Sequence, residues 1–260
     1  MIVGVHNPKG GTGKTLTAVN VAAVLAGMRR RVLLVDLEPY AGASISLGVA
    51  PADLRPSTAD VLLGHTRVQD AVRPVPGLGS LWLLTGSAAL ADLDRTMSDS
   101  RVPERAVADV IRRLDTSYDI IIVDAPSGFS LASRSVPFAA EHLLVPVTPS
   151  YLPLEALAQY LRWFQMLRTR RKGLATLLGI VLTQVDRRTA ETREIIDIIR
   201  VHNKDGVCAT EIPRDPRASE APSHGVPLTL YAPHAPATVA YRRLTDEILH
   251  RLSRRSRRTP

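Results

Sequence analysis

The chain has 260 residues, a formal net charge of +8, 45% hydrophobic and only 4% aromatic residues, and a single cysteine. The length and apolar content fit one α/β domain with a core of aliphatic side chains, and the charge points to a polyanionic partner. Cys208 alone excludes an internal disulfide or a paired-cysteine cluster and fits a reducing cytosol; no signal-peptide pattern is visible, and no apolar run approaches the roughly eighteen residues of a membrane span.

The first predicted element is a strand, Ile2–His6, and the stretch PKGGTGKT, Pro8 to Thr15, follows it. A helix-like run from Leu16 to Leu25 comes next, so the order is strand, glycine loop, helix, the setting a phosphate-binding loop requires. Gly10, Gly11 and Gly13 let the backbone, with Thr12 between them, approach phosphate oxygens without a Cβ in the way. Their N–H groups and the positive end of the helix favour an anion, and the run into Leu16 completes the cradle. Lys14 supplies a charge for the β- and γ-phosphates, and the Thr15 hydroxyl is the expected Mg²⁺ ligand.

Further strands are predicted at Arg31–Asp36, Leu81–Leu84, Ile120–Asp124, Leu143–Val147, Thr176–Thr183 and Val207–Ile212. Helical stretches lie between several of them; the clearest places Leu154, Leu157, Ala158, Leu161, Phe164 and Leu167 on one face. Near-continuous apolar strands alternating with helices imply an α/β fold: a mostly parallel twisted sheet with helices on both faces. Ligands of such sheets bind at the carboxyl ends of the strands. Pro51–Ser57 and Arg73–Ser80 read as surface loops. The last helix carries Tyr241, Leu244, Ile248 and Leu252 on a face that packs on the domain. Residues 1–252 form the domain, and the basic tail Ser253–Pro260 is expected to be disordered.

Lys9, just ahead of the glycines, makes the loop K-G-G-x-G-K-T. This resembles the deviant Walker A motif of the ParA/MinD family of dimeric P-loop ATPases. The resemblance implies ATP and Mg²⁺ as cofactors and a homodimer in the ATP state, in which Lys9 reaches the partner's nucleotide. Asp36-Leu37-Glu38-Pro39-Tyr40 resembles the family's segment leading into switch I. By that match Asp36 lies near the Mg²⁺ water shell, and Glu38 stands where an aspartate positions the attacking water. A glutamate is one methylene longer, so hydrolysis is expected to be slow. The strand ending in Asp124 is a Walker B pattern and gives Asp124 the outer-shell metal role; Ala125–Gly128 is similar to switch II. In Val145–Pro149 the match continues, with Ser150 where a glutamate is frequent.

Nearer the C-terminus, Ile212 to Gly225 resembles a segment of chromosomal and plasmid ParA proteins that runs past the adenine. That makes Pro213, Arg214 and Asp215 cofactor candidates, with Asp215 replacing an asparagine, and Gln184 and Asp186 weaker base-contact candidates. His224 belongs to the same loop and reads as structural. Arg188 and Arg217 align with family arginines implicated in non-specific DNA binding, and Arg187, Arg193, Arg242 and Arg243 could widen the patch.

The resemblance therefore implies a cytoplasmic, nucleoid-associated ATPase that segregates chromosome or plasmid DNA with a ParB-like partner. Three alternatives remain open at this point. A MinD-like membrane ATPase is one, although no large apolar anchor follows Leu252 and no stable membrane insertion is expected. The others are ParA-like positioning of a protein cargo and a slow-turnover nucleotide switch.

Overall fold

The computed structural model describes residues 1–97, 103–114 and 117–256. Its helices in chain order are α1 (Lys14–Gly27), α2 (Gly42–Ser46), α3 (Thr58–Leu62), α4 (Val68–Ala71), α5 (Leu93–Thr96), α6 (Pro103–Arg112), α7 (Leu131–Ala139), α8 (Tyr151–Arg170), α9 (Ala190–Asn203), α10 (Pro216–Glu220), α11 (Leu228–Tyr231) and α12 (Pro236–Ser256). The strands are β1 (Ile2–Val5), β2 (Val32–Asp36), β3 (Arg73–Pro74), β4 (Leu81–Leu84), β5 (Ile120–Asp124), β6 (His142–Val147), β7 (Thr176–Val185) and β8 (Val207–Pro213). They form one sheet in the order β3-β4-β2-β5-β1-β6-β7-β8. Every pairing is parallel except that of β3 with β4.

Strand residues alternate between two buried layers, as the two-residue period of a strand dictates. Val3, Val5, Leu34 and Ile122 pack in one core with α1 and α12; Ile2, Val35, Ile121 and Val123 pack in the other with α6, α7, α8 and α9. Fully burying one such side chain contributes roughly 1.5–3 kcal/mol, and covering both faces explains why the strands read as unbroken apolar runs. The predicted α12 face is in place: Tyr241, Leu244, Ile248 and Leu252 are all buried.

Three expectations are corrected. Arg73–Pro74, read as part of a loop, is the short antiparallel edge strand β3. Ser57, read as the end of a surface loop, is buried and caps α3 in a reciprocal box with Asp60. The tail does not begin at Ser253, because α12 continues to Ser256; residues 257–260 lie outside the described residues. Two arginines there are structural. Arg251 donates to the carbonyls of Leu178, Asp205 and Val207 and pairs with Glu247, and Arg255 donates to Thr176 Oγ1 and the Leu177 carbonyl. Both tie α12 to the start of β7.

Candidate nucleotide site

Adjacent strands β2, β5 and β1 deliver the site. Their register aligns Asp36 with Asp124 and Asp124 with Val5, so two carboxylates and the phosphate loop share one end of the sheet. Gly11 and Gly13 have φ of 76° and 78°, left-handed values that favour glycine. Gly13 is the N-cap of α1; no side chain caps that end and no acidic residue lies in its first turn. The first N–H groups of the helix are thus available to an anion.

Lys14 is buried, and its ammonium donates to the Lys9 carbonyl at 3.2 Å and to Ser127 Oγ at 3.0 Å. Burial lowers its pKa, against the charges of Asp124 and Glu38. The loop itself is braced. Asn7 Nδ2 donates to the Pro146 carbonyl and Asn7 Oδ1 accepts from the Lys9 N–H, while Thr183 and Gln184 donate to the carbonyls of Thr12 and Gly11. The Lys9 side chain is exposed and makes no hydrogen bond or ion pair among the described residues.

Asp36 and Asp124 are both buried but differ in their partners. Asp36 accepts from the Glu38 N–H and from the N–H and hydroxyl of Ser44, at 2.7 to 3.0 Å. Neither oxygen of Asp124 lies within hydrogen-bonding geometry of a partner among the described residues. Burial pushes the Asp124 carboxyl well above the usual carboxylate range, and the Asp36 charge adds to this; the Thr15 hydroxyl and Lys14 ammonium oppose it. An unpartnered buried carboxylate beside a threonine hydroxyl fits a hard divalent cation that keeps part of its water shell. Thr15 and Asp124 are the residues that would hold Mg²⁺, Asp124 through water.

Glu38 is half-buried in the turn after β2, and Tyr40 beyond it is 86% exposed. A cavity of about 780 Å³ opens from Gly11, Gly13, Thr15 and Leu16 and runs between α1 and the segment after β8, with Pro213, Arg214 and Asp215 among its lining. That volume is within the range of small-molecule sites.

Some candidates have other work. The Asp215 carboxylate accepts from Arg217 Nε at 2.9 Å and caps α10, so its charge is already matched. Gln184 donates to the phosphate loop, and Asp186 binds Arg188. His224 stacks on Tyr231 with ring centroids 4.8 Å apart. Arg188 lies in the loop after β7 and Arg217 in the first turn of α10, both exposed but each ion-paired two residues back along the chain. They are not free cations; among the described residues the arginines nearby without an acidic partner are Arg193, Arg214, Arg242 and Arg243.

Sequence reading placed Ser127 in the switch II-like segment without a role for its hydroxyl, which receives Lys14, and did not name Ser44, which clamps Asp36. Hydroxyls of this kind carry no spacing signal, because their partners are remote in the chain. Ser57 was findable, since Ser57-Thr58-Ala59-Asp60 is a capping-box pattern.

Comparison with known proteins agrees with this geometry. Residues 1–176 match the AAA_31 family, described as an AAA domain. The chromosome-partitioning ATPase Soj of Thermus thermophilus is 35% identical over 250 residues, covering 96% of each chain. A Mycobacterium smegmatis structure described as cobyrinic acid a,c-diamide synthase with bound ADP and magnesium superposes with a TM-score of 0.83 at 27% identity, covering 97% of this chain and 95% of the other. The septum site-determining protein MinD of Pyrococcus horikoshii, complexed with Mg-ADP, superposes with a TM-score of 0.77 at 27% identity, covering 95% of each. With its deviant phosphate loop at the carboxyl end of a parallel sheet and this degree of identity across its length, the chain belongs to the Soj/ParA family of chromosome-partitioning ATPases, within the ParA/MinD group of P-loop ATPases.

Proposed function

We propose that this chain binds and hydrolyses ATP with Mg²⁺, dimerises in the ATP state, binds DNA without sequence preference and segregates DNA with a ParB-like partner in the cytoplasm, on the nucleoid. The observation that carries the reading is the convergence of buried Lys14, the open N-terminus of α1 and the unpartnered Asp124 at one end of the sheet.

The N–H groups of the loop and Lys14 bind and orient the phosphates. Thr15 and, through water, Asp124 would hold Mg²⁺, which would neutralise phosphate charge. Glu38 orients the water, and Asp36, fixed by Ser44, holds the turn that carries Glu38. Lys9, exposed and without a side-chain partner among the described residues, is free to enter the site of a second copy. Pro213 and Arg214 border the base, and Asp215 shapes that border through its bonds to Arg217 and the N-terminal turn of α12.

The basic arginines after β7 and β8 supply the DNA surface. Arg188 and Arg217 are held in one orientation by Asp186 and Asp215, and Arg193, Arg214, Arg242 and Arg243 add charge without local neutralisation. Phosphate contacts of this kind give affinity without sequence readout. In α12 the apolar face is used by the core, so it offers lipid nothing; no helix among the described residues is long and apolar enough to cross a membrane. Glu38 favours one variant of the reading, a slow switch whose turnover depends on its partner.

Binding to a random-sequence duplex with ADP, ATP and a slowly hydrolysed ATP analogue tests the proposal. ATP-dependent binding that is lost in Lys14→Ala and Arg217→Glu and weakened by salt is expected. Equal binding with ADP and ATP would remove the coupling on which the reading depends.

A further inference from the structure

A buried polar group needs partners, and His6 takes its two from different helices. It follows β1 directly and lies two residues before the phosphate loop. Its ring is fully buried, with Nδ1 2.7 Å from Tyr160 Oη on α8 and Nε2 3.0 Å from Ser133 Oγ on α7. The Ser133 hydroxyl donates to the Gly128 carbonyl at 2.8 Å. A hydroxyl has one proton to give, so Ser133 must accept from His6. That fixes the Nε2–H tautomer and leaves Nδ1 to accept from Tyr160. Burial, with the Lys14 ammonium near, pushes the imidazole pKa down to about 3, so the ring stays neutral. The three bonds have one direction: Tyr160 to His6 to Ser133 to the Gly128 carbonyl.

The far end of this chain grips the phosphate loop twice. Gly128 N–H donates to the Pro8 carbonyl at 2.8 Å, and its neighbour Ser127 receives Lys14. A second contact joins the same parts. Phe129 meets Trp163 of α8 edge-on, with centroids 5.5 Å apart and planes at 72°. Trp163 in turn lies 5.8 Å from the Tyr160 ring.

We infer that Tyr160, His6 and Ser133 are positioning residues for ATP hydrolysis: their directed hydrogen-bond chain sets the turn Ser127–Phe129 against the phosphate loop and ties it to α8. The inference rests on the reading of that loop as the ATP site. None of the three residues lines the nucleotide cavity, so they act through Gly128 and Ser127.

The chain has two tryptophans. Trp82 packs against Tyr118 beside the far strand β4, with centroids 5.7 Å apart; Trp82→Phe therefore leaves Trp163 as an internal reporter of the turn. In that background Tyr160→Phe keeps the ring and removes the donor, and Ser133→Ala removes the last link with little change in volume. Thermal melts establish that each variant is folded. Mg-ATP affinity, kcat, KM and the change in Trp163 emission on adding Mg-ATP are then compared with the parent.

The expected result is an affinity and KM within about twofold, a kcat lowered about fivefold, the ratio that matches one typical net hydrogen bond, and a smaller Trp163 response. The double variant should lose no more than either single one, because both cut one chain. His6→Gln, which keeps a donor and an acceptor, should retain more activity than His6→Leu. Normal Mg-ATP binding with parental kcat and Trp163 response in both single variants, or additive losses in the double, would overturn the inference alone. A parent chain that fails to bind Mg-ATP would overturn the reading of the loop as well.

Discussion

Asp36 and Asp124 stand side by side at the ends of β2 and β5, in direct register, and the first carboxylate is satisfied while the second has no hydrogen bond among the described residues. Each is buried. The asymmetry assigns different duties to chemically identical groups. Asp36 organises the turn that carries Glu38, and Asp124 is left for the cation proposed to bind there.

Asp124→Asn should therefore raise the thermal stability of the metal-free protein while abolishing the added stability that Mg-ATP confers. Burial disfavours the ionised carboxylate of Asp124, and Asn removes the cost of holding an ionisable group there. Melting curves with EDTA, with Mg²⁺ and with Mg-ATP check both halves. A melting temperature lower than the parent's in EDTA would contradict the first.

His6 gives a pH dependence of definite sign. Its pKa is pushed from 6.5 down to about 3, chiefly by burial and then by Lys14. Between those values the unfolded chain binds the proton and the folded chain does not. Stability should be fully present above pH ~6.5 and fall by about 1.4 kcal/mol per pH unit from this residue as the pH drops toward 3. Denaturant midpoints from pH 7 to pH 5 measure the slope, and His6→Gln should flatten it.

Glu38→Asp should raise the hydrolysis rate. The turn after Asp36 fixes the backbone at this position, so the extra methylene displaces the carboxylate, and errors of about an ångström cost on the order of 100-fold. Phosphate release under single-turnover conditions measures this. A slower Asp variant would show that the surrounding turn has been shaped for glutamate.

Gly48 and Gly225 press backbone on backbone. A Cβ on Gly225 would come 2.7 Å from Gly48 Cα, and Gly225 has φ of 65°. Gly225→Ala combines overlap with a left-handed penalty and should cost about 1–3 kcal/mol. Because the contact joins the segment after α2 to the loop bordering the base cavity, nucleotide affinity should fall with stability. Calorimetric melts and ATP titration of the same variant test the two together.

The nucleotide end of the molecule was legible in the sequence because its signals are local. Lys9 to Thr15 are contiguous, and Asp36 and Asp124 each close an apolar run; the register that brings those two runs beside β1 was not legible, because β3, β4 and several helices separate β2 from β5 in the chain. The limits appear where partners come from distant parts of the chain. Asp215 reads as a base contact by position, yet Arg217 and the Ala237 N–H occupy its carboxylate. Arg188 and Arg217 read as DNA-binding candidates by alignment alone, which did not disclose that each is paired with an aspartate two residues earlier. Tyr160 fell outside the predicted stripe of α8, although it is among the largest fully buried side chains. Its buried hydroxyl is satisfied by His6, 154 residues away, which accepts its hydrogen bond.

The final helix has a practical consequence. At 21 residues α12 is roughly 30 Å long; Tyr241 near its start lines the nucleotide cavity, and Arg255 near its end binds the amino end of β7. Met1 sits at that same pole, at the amino end of β1. A fluorophore or affinity handle attached at Met1 would sit on the side of the molecule opposite Lys9, clear of the face proposed to meet a second copy. Labelled and unlabelled chains can therefore be mixed to follow subunit exchange without perturbing the contact being measured.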